Sequence, residues 1–328
     1  MKHIPRVRVY FLCIAAFSMA ALADPVTLDA SQWLHRIQQA AQKLNFSGTF
    51  VYLQQGSQPQ SSRITHVLDG AVERERLETL DGAPIVIVRT NDEVRSYAGD
   101  TKTVVIENRR AKAAFPALLS SDQVAGILAQ YNARKWDTQR VAGQECQVLL
   151  LEPRDGMRYA HKLWADTASG LLLKAQAFNE KGDVVEQIAF TQIEIGGLPE
   201  RYLARVQKKE GGRDWRTSSS VVTETSLAQA GWKIENPLPG FRKVMEVRRG
   251  FGETEVGQVV FSDGLASISV FVEPLRGRAP IHEGLSNQGA VNIFRRSVAE
   301  HLVTVLGEAP PACVTRVGRA IEFRPIAR

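Results

Sequence analysis

The sequence predicts an α+β protein that is mostly antiparallel β: a large curled sheet, half-barrel or barrel, with covering helices, followed by a smaller C-terminal α+β domain. Between residues 46 and 195 short β-type runs follow one another, separated by Gly, Pro, Asn and Asp turns. A charged, glycine-rich stretch then interrupts the pattern. Beyond it a second unit carries its own hairpin and its own terminal helix. The chain has 328 residues, more than one ordinary core accommodates, which agrees with two domains.

Taken in order, Met1 to Ala23 has the parts of a secretory signal. Lys2, Arg6 and Arg8 form the basic end, Val9 to Phe17 the apolar middle and Ala21-Leu22-Ala23 a small-x-small cleavage site. An uncleaved anchor is the alternative, but the run is shorter than the roughly 20 apolar residues that span a bilayer. Without residues 1–23 the formal charge falls from +6 to +3, because three basic residues go and no acidic ones. So small an excess does not suit a nucleic-acid partner. Cys146 and Cys313 remain, in different candidate domains and without metal spacing. They are expected to be buried small hydrophobes, with a disulfide as the alternative.

The large domain is expected over residues 24–200. It opens with a helix on which Trp33, Leu34, Ile37, Ala40, Ala41 and Leu44 recur at helical spacing, with Asp29 or Ser31 as cap. A meander follows, with hairpins closed by 166–170 and 179–183. A sheet of this many strands must curl, because twisted sheets do not stay flat and open edges invite aggregation. Phe115 to Tyr131 has helical spacing and, with the first helix, is placed over the concave face. Simple helix-on-sheet packing explains most of these residues. The alternative is an apolar cavity for acyl chains, lined by Phe50, Tyr52, Trp164, Phe178 and Phe190 and by Phe115, Leu118 and Leu119 of the covering helix.

Residues 201–231 are expected to be a linker region, and 232–328 the small domain, ending in a helix from about Pro310 with Val314, Val317, Ala320 and Ile321 inward. Its centre is Gln258 to Pro274, two strands joined at Ser262-Asp263-Gly264. Ala266, Ile268, Val270 and Val272 fall on the core face. Leu265, Ser267, Ser269 and Phe271 fall on the other, which is either a solvated face or a place for another chain to approach.

No constellation for catalysis or metal binding stands out. The histidines show no HExxH or i, i+4 pairing, Ser262 lacks a nucleophile elbow, and Glu73 to Arg76 alternate in sign like a solvated face. No metal or cofactor is expected, and a binding protein is favoured over a hydrolase.

Several segments carry a resemblance in the right order along the chain: FSGTFVY at 46–52, ERL at 75–77 with LDG at 80–82, FPALL at 115–119, and YAHKLWADTASGLLLK at 159–174. PGF at 239–241, FSDGLASISVFVEP at 261–274 and GEAPP at 307–311 complete the set. Together they resemble the MucB/RseB family of periplasmic regulators of the envelope-stress sigma factor. The resemblance implies a large domain like the unclosed barrel of lipoprotein carriers. It implies binding to the periplasmic region of a membrane anti-sigma factor of MucA or RseA type, protection of that partner from proteolysis, and release by lipopolysaccharide or a lipid-like ligand. By position it places anti-sigma contact on Phe261, Ser262, Gly264, Leu265, Ser267, Ser269 and Phe271, and lipid contact on the aromatic strand residues and the covering helix. The competing reading is a periplasmic lipid or lipoprotein carrier. A homodimer is left open.

Overall fold

The structure is a computed structural model, described for residues 28–108, 115–116, 124–197, 200–212, 214–219, 222–235, 237–251, 254–277, 279 and 281–325. The signal-type segment, Leu118 and Leu119 lie outside these residues. Helix α1 (Ala30–Lys43) starts at Asp29, whose carboxylate accepts from the Gln32 amide while the Gln32 side chain accepts from the Asp29 amide. This capping box satisfies donors that a helix start leaves open. Trp33, Leu34, Ile37, Ala40 and Ala41 form its buried stripe, as the spacing predicts.

A first meander follows: β1 (Phe46–Gln54), β2 (Gln60–Asp69), β3 (Val72–Thr79), β4 (Ile85–Thr90), β5 (Glu93–Ala98) and β6 (Thr103–Asn108). Helix α2 (Val124–Gln130) leads into a second: β7 (Tyr131–Val141), β8 (Gln144–Pro153), β9 (Ala160–Asp166), β10 (Leu172–Phe178) and β11 (Val184–Ile195). The meanders join where β1 pairs with β11, placing Phe50 opposite Phe190. Helix α3 (Glu200–Gln207) and β12 (Arg216–Ser219) complete the large domain. Its sheet runs β12-β6-β5-β4-β3-β2-β1-β11-β10-β9-β8-β7, with β12 and β7 at opposite edges, so the barrel is unclosed. Helices α1 and α2 cover one face, where Leu34, Ile37 and Ile127 join Phe46, Leu149, Leu163 and Phe190 in one core.

The smaller domain comprises β13 (Val222–Glu224), β14 (Trp232–Lys233), β15 (Arg242–Phe251), β16 (Thr254–Ser262), β17 (Ser267–Pro274), β18 (Gly284–Gln288), β19 (Val291–Val298), β20 (His301–Gly307), α4 (Pro311–Ala320) and β21 (Glu322–Phe323). Seven of these strands form the sheet β13-β15-β16-β17-β20-β19-β18. Helix α4 lies on the face that presents Ala266, Ile268, Val270 and Val272, through Val314, Val317 and neighbouring Ile321. Ala320 is only half-buried. Cys146 and Cys313 are free thiols, both buried. No helix among the described residues is long and apolar enough to cross a membrane.

Two local expectations are corrected. The stretch expected as linker is built into both sheets: β12 adds in parallel to β6, and β13 adds to β15. Trp215 packs edge-on against Tyr97 at 5.7 Å, and Glu210 accepts from Arg76 at 2.5 Å. The charged run at 73–76 is therefore not wholly solvated. Arg76 is buried beneath this segment, where Glu78 at 2.8 Å takes Nε and Glu210 takes one terminal nitrogen, while Nη1 is enclosed without a partner.

Candidate functional site

The turn joining β16 to β17 is organised by its own side chains. Oδ1 of Asp263 accepts from the amides of Leu265 (3.0 Å) and Ala266 (2.8 Å), and the Ser262 hydroxyl donates to the Ala266 carbonyl at 3.0 Å. Gly264 takes φ of +106°, which glycine reaches without steric cost. The local sequence thus folds the turn as predicted, and leaves Oδ2 of Asp263 pointing out of the hairpin.

That oxygen is received by the large domain. Nε of Arg158, in the loop between β8 and β9, donates to it at 2.7 Å, and the Tyr131 hydroxyl approaches at 3.4 Å. The side chains of Arg158 and Asp263 are fully buried. Arg158 also donates to Asp155 Oδ2 at 2.5 Å and to the Pro239 carbonyl, and its guanidinium lies over the Phe241 ring at 4.8 Å. Burial opposes its charge, but Asp263 and Asp155 outweigh burial and hold its pKa above the ordinary arginine value. Burial, aided by the charge of Asp263, pushes the Tyr131 hydroxyl well above the usual phenol range. Leu265 meanwhile packs against the core of the large domain.

Further polar contacts join the two units. Arg249 of β15 reaches Glu107 of β6 at 3.0 Å, and Asn292 donates to the Tyr159 hydroxyl at 3.0 Å and to the Ala309 carbonyl at 2.8 Å. At Gly240 a Cβ would lie 2.6 Å from the Gln130 side chain, so glycine permits the approach of this loop to the end of α2. His161 stacks edge-on with Tyr131 at 6.0 Å. Burial pushes its pKa down to about 4, and its Nε2 is enclosed without a hydrogen-bond partner.

The residues expected to meet a partner protein divide accordingly. Phe261 and Gly264 are buried within this chain, Phe261 in the core of the small domain, and Ser269 is 9 % exposed. Ser262, Leu265, Ser267 and Phe271 are half-buried, and Leu265 is engaged by the large domain. The hairpin is therefore a joint between domains, with only part of its outer face accessible.

The residues expected to hold lipid also separate. Phe50, Phe115 and Phe190 are brought together, with ring centroids 5.1–5.9 Å apart, and all three are buried in the core with α1 and α2. The β1–β11 register turns Phe50 and Phe190 to the same side, where they pack with Phe115. Trp164 is buried too, donating to Gln139 Oε1 at 2.8 Å with the Lys174 ammonium 4.6 Å above its ring. Tyr52 and Phe178 are half-buried. Tyr52 is instead bonded to Glu186.

Sequence reasoning missed Arg158, Tyr131 and Glu186. Arg158 carried no motif, and its partner lies 105 residues away. Burial, together with the charge of Glu308 on the small domain, raises Glu186 to about 7, against a smaller lowering by the Tyr52 hydrogen bond.

The chain is thus a two-domain protein in which an open curled sheet is joined to a second sheet domain through a buried ion pair and the packing of Leu265. Family models place it more closely. The MucB/RseB N-terminal domain matches residues 29–211 and the MucB/RseB C-terminal domain residues 226–322; this chain belongs to the MucB/RseB family. It is 32 % identical over 328 residues to the sigma factor AlgU regulatory protein MucB of Pseudomonas aeruginosa, covering 98 % of each chain. The sigma-E factor regulatory protein RseB of Haemophilus influenzae is 23 % identical over 326 residues, covering 99 % of this chain and 100 % of that one. Among solved structures, the complex of MucA and MucB from Pseudomonas aeruginosa aligns with a TM-score of 0.70 at 31 % identity, over 91 % of this chain and 99 % of that one.

Proposed function

We propose that this chain is a periplasmic, non-enzymatic regulator that binds the periplasmic region of a membrane anti-sigma factor of MucA or RseA type. While bound, that region is withheld from proteolysis and the stress sigma factor stays inactive. The observation that carries the reading is the similarity, across both domains, to a protein whose solved structure is a complex with MucA. The accessible part of the β16–β17 hairpin and the groove between the domains are proposed as the contact surface. Withholding a segment needs no catalysis, because a chain held in a groove or added to a sheet edge is unavailable as an extended protease substrate.

Release by lipopolysaccharide or a lipid-like ligand belongs to the same proposal. A ligand that prefers the free regulator to the complexed one weakens the complex by the same factor. A tenfold preference corresponds to about 1.4 kcal/mol, so modest discrimination is enough. An acyl chain entering near Phe50, Phe115 and Phe190 requires α1 or α2 to move, since the rings close on one another.

The test is a pull-down of periplasmic and solubilised membrane protein on the mature chain, beside Ser267→Arg, with circular dichroism confirming the variant's fold. Retention of a membrane anti-sigma protein by the wild type, lost with Ser267→Arg, is expected. Recovery of lipid or lipoprotein and no anti-sigma protein would replace regulation with carriage.

A further inference from the structure

The outer face of the large sheet, opposite α1, holds a cleft of about 540 Å³ beneath α3. Three arginines line it: Arg63 from β2, and Arg201 and Arg205 from α3. Thr49, Thr191 and Tyr202 add hydroxyls. Glu194 is the carboxylate in the lining, and it accepts the Tyr202 hydroxyl at 2.8 Å.

The cations have few close acceptors: Arg201 lies over the Tyr202 ring at 4.8 Å and reaches its hydroxyl only at 3.5 Å. Arg201 comes no nearer to Glu194 than 3.9 Å, and Arg205 no nearer to Glu78 than 3.9 Å. Charge-assisted hydrogen bonds are about 1 Å shorter. Glu78 is the direct cross-strand neighbour of Arg63, yet it gives its close contact, 2.8 Å, to Arg76. The Arg63 side chain has no ion-pair or hydrogen-bond partner among the described residues, although the residue is half-buried. Solvated surface arginines would explain α3 alone. They do not explain why a strand residue on the sheet beneath the helix faces the same cleft unpaired.

We propose that this cleft binds a phosphate-bearing ligand. Guanidinium forks match the oxygens of a phosphate in paired hydrogen bonds, and three of them around one cleft balance a dianion beside a single carboxylate. The volume lies within the roughly 300–1,000 Å³ of small-molecule sites, so the ligand is larger than a bare ion and carries a polar body that meets the threonine hydroxyls. The chemistry is shared by a soluble phosphomonoester and by a phospholipid headgroup. It stands apart from the anti-sigma reading, and either can fail while the other holds.

The experiment is calorimetric titration of the full mature chain with glycerol 3-phosphate at fixed ionic strength, glycerol serving as the uncharged control. A parallel sedimentation assay uses vesicles of phosphatidylcholine with and without phosphatidic acid. Saturable binding of at least one phosphate probe is expected, weakened tenfold or more by Arg63→Gln and by Arg205→Gln, with glycerol and pure phosphatidylcholine inert. Thermal unfolding of each variant confirms the fold, and Arg63→Lys keeps the charge without the fork, so partial recovery is expected. Binding of glycerol 3-phosphate identifies a soluble source, and binding of phosphatidic acid vesicles alone a headgroup. Absence of saturable binding to both probes, or binding unchanged in Arg63→Gln/Arg205→Gln, overturns the assignment.

Discussion

Replacing Arg158 by Met is expected to loosen the joint between the domains. Asp263 would keep the two turn amides on Oδ1 but would lose the 2.7 Å guanidinium contact on Oδ2, leaving only the Tyr131 hydroxyl at 3.4 Å. The change also removes donors to Asp155 and the Pro239 carbonyl and the cation over Phe241. Breaking a fully buried pair by removing one partner costs about 3–5 kcal/mol, most of it the penalty of a buried charge left uncompensated. At about 1.4 kcal/mol per decade, that is a shift of about 140- to 3,700-fold toward the separated arrangement. Calorimetry is expected to show one transition for the wild type and two for the variant, and small-angle scattering should report a larger radius of gyration. Arg158→Met/Asp263→Leu, which removes both charges, should recover much of the loss, since apolar replacement of a buried pair is often close to neutral. A lone Arg158→Met within about 0.5 kcal/mol of wild type, with one transition and an unchanged radius, would refute this account of the joint.

Other outcomes follow from particular contacts. Glu186, raised to about 7 by burial and by Glu308, binds its proton more tightly in the folded state than the usual carboxylate does. Its contribution is complete below the unfolded carboxylate pKa and is lost as pH rises through about 7, so stability should fall between roughly pH 5 and 8 by an order of 1–2 kcal/mol. Glu186→Gln should flatten that slope in urea titrations at several pH values. Asp29→Ala removes the capping box of α1 and should cost about 1 kcal/mol, read from the urea midpoint. Gly318→Ala would bring a Cβ to 2.2 Å from the buried Phe294 ring, so overpacking of about 1–3 kcal/mol is expected in the small domain, visible as a lowered Tm. Burial lifts the thiols of Cys146 and Cys313 to about 12, so a thiol reagent at pH 8 should label neither until urea unfolds the chain.

The strands were legible because their ends are written locally. Asn179 accepts the amides of Lys181 and Asp183 at 3.0 and 2.9 Å, and Gly182 takes positive φ, which is the chemistry expected of the turn between β10 and β11. The start and stripe of α1 were legible for the same reason. What sequence could not supply was partnership at long range. Asp263 was read as a turn acceptor, and one of its oxygens does that work; the other meets Arg158 across the domain joint. Likewise 201–231 has the composition of a surface loop, yet Trp215 and Glu210 anchor it to Tyr97 and Arg76. Alternation correctly separated the two faces of β17, but period two does not say that a neighbouring domain covers part of the outer one. Aromatic residues on a curled sheet likewise suit a cavity or a core, and alternation alone does not say that Phe50, Phe115 and Phe190 share a cluster with α1.

Protection of the partner tests the central claim most directly. The periplasmic region of the anti-sigma protein from the same cell would be incubated with a site-specific protease, with and without the mature chain, and intact partner followed over time. A stoichiometric complex and a partner lifetime lengthened in proportion to the fraction bound are expected. Cleavage at the same rate with saturating chain present, or no complex at all, would contradict the assignment of this chain as a protecting regulator.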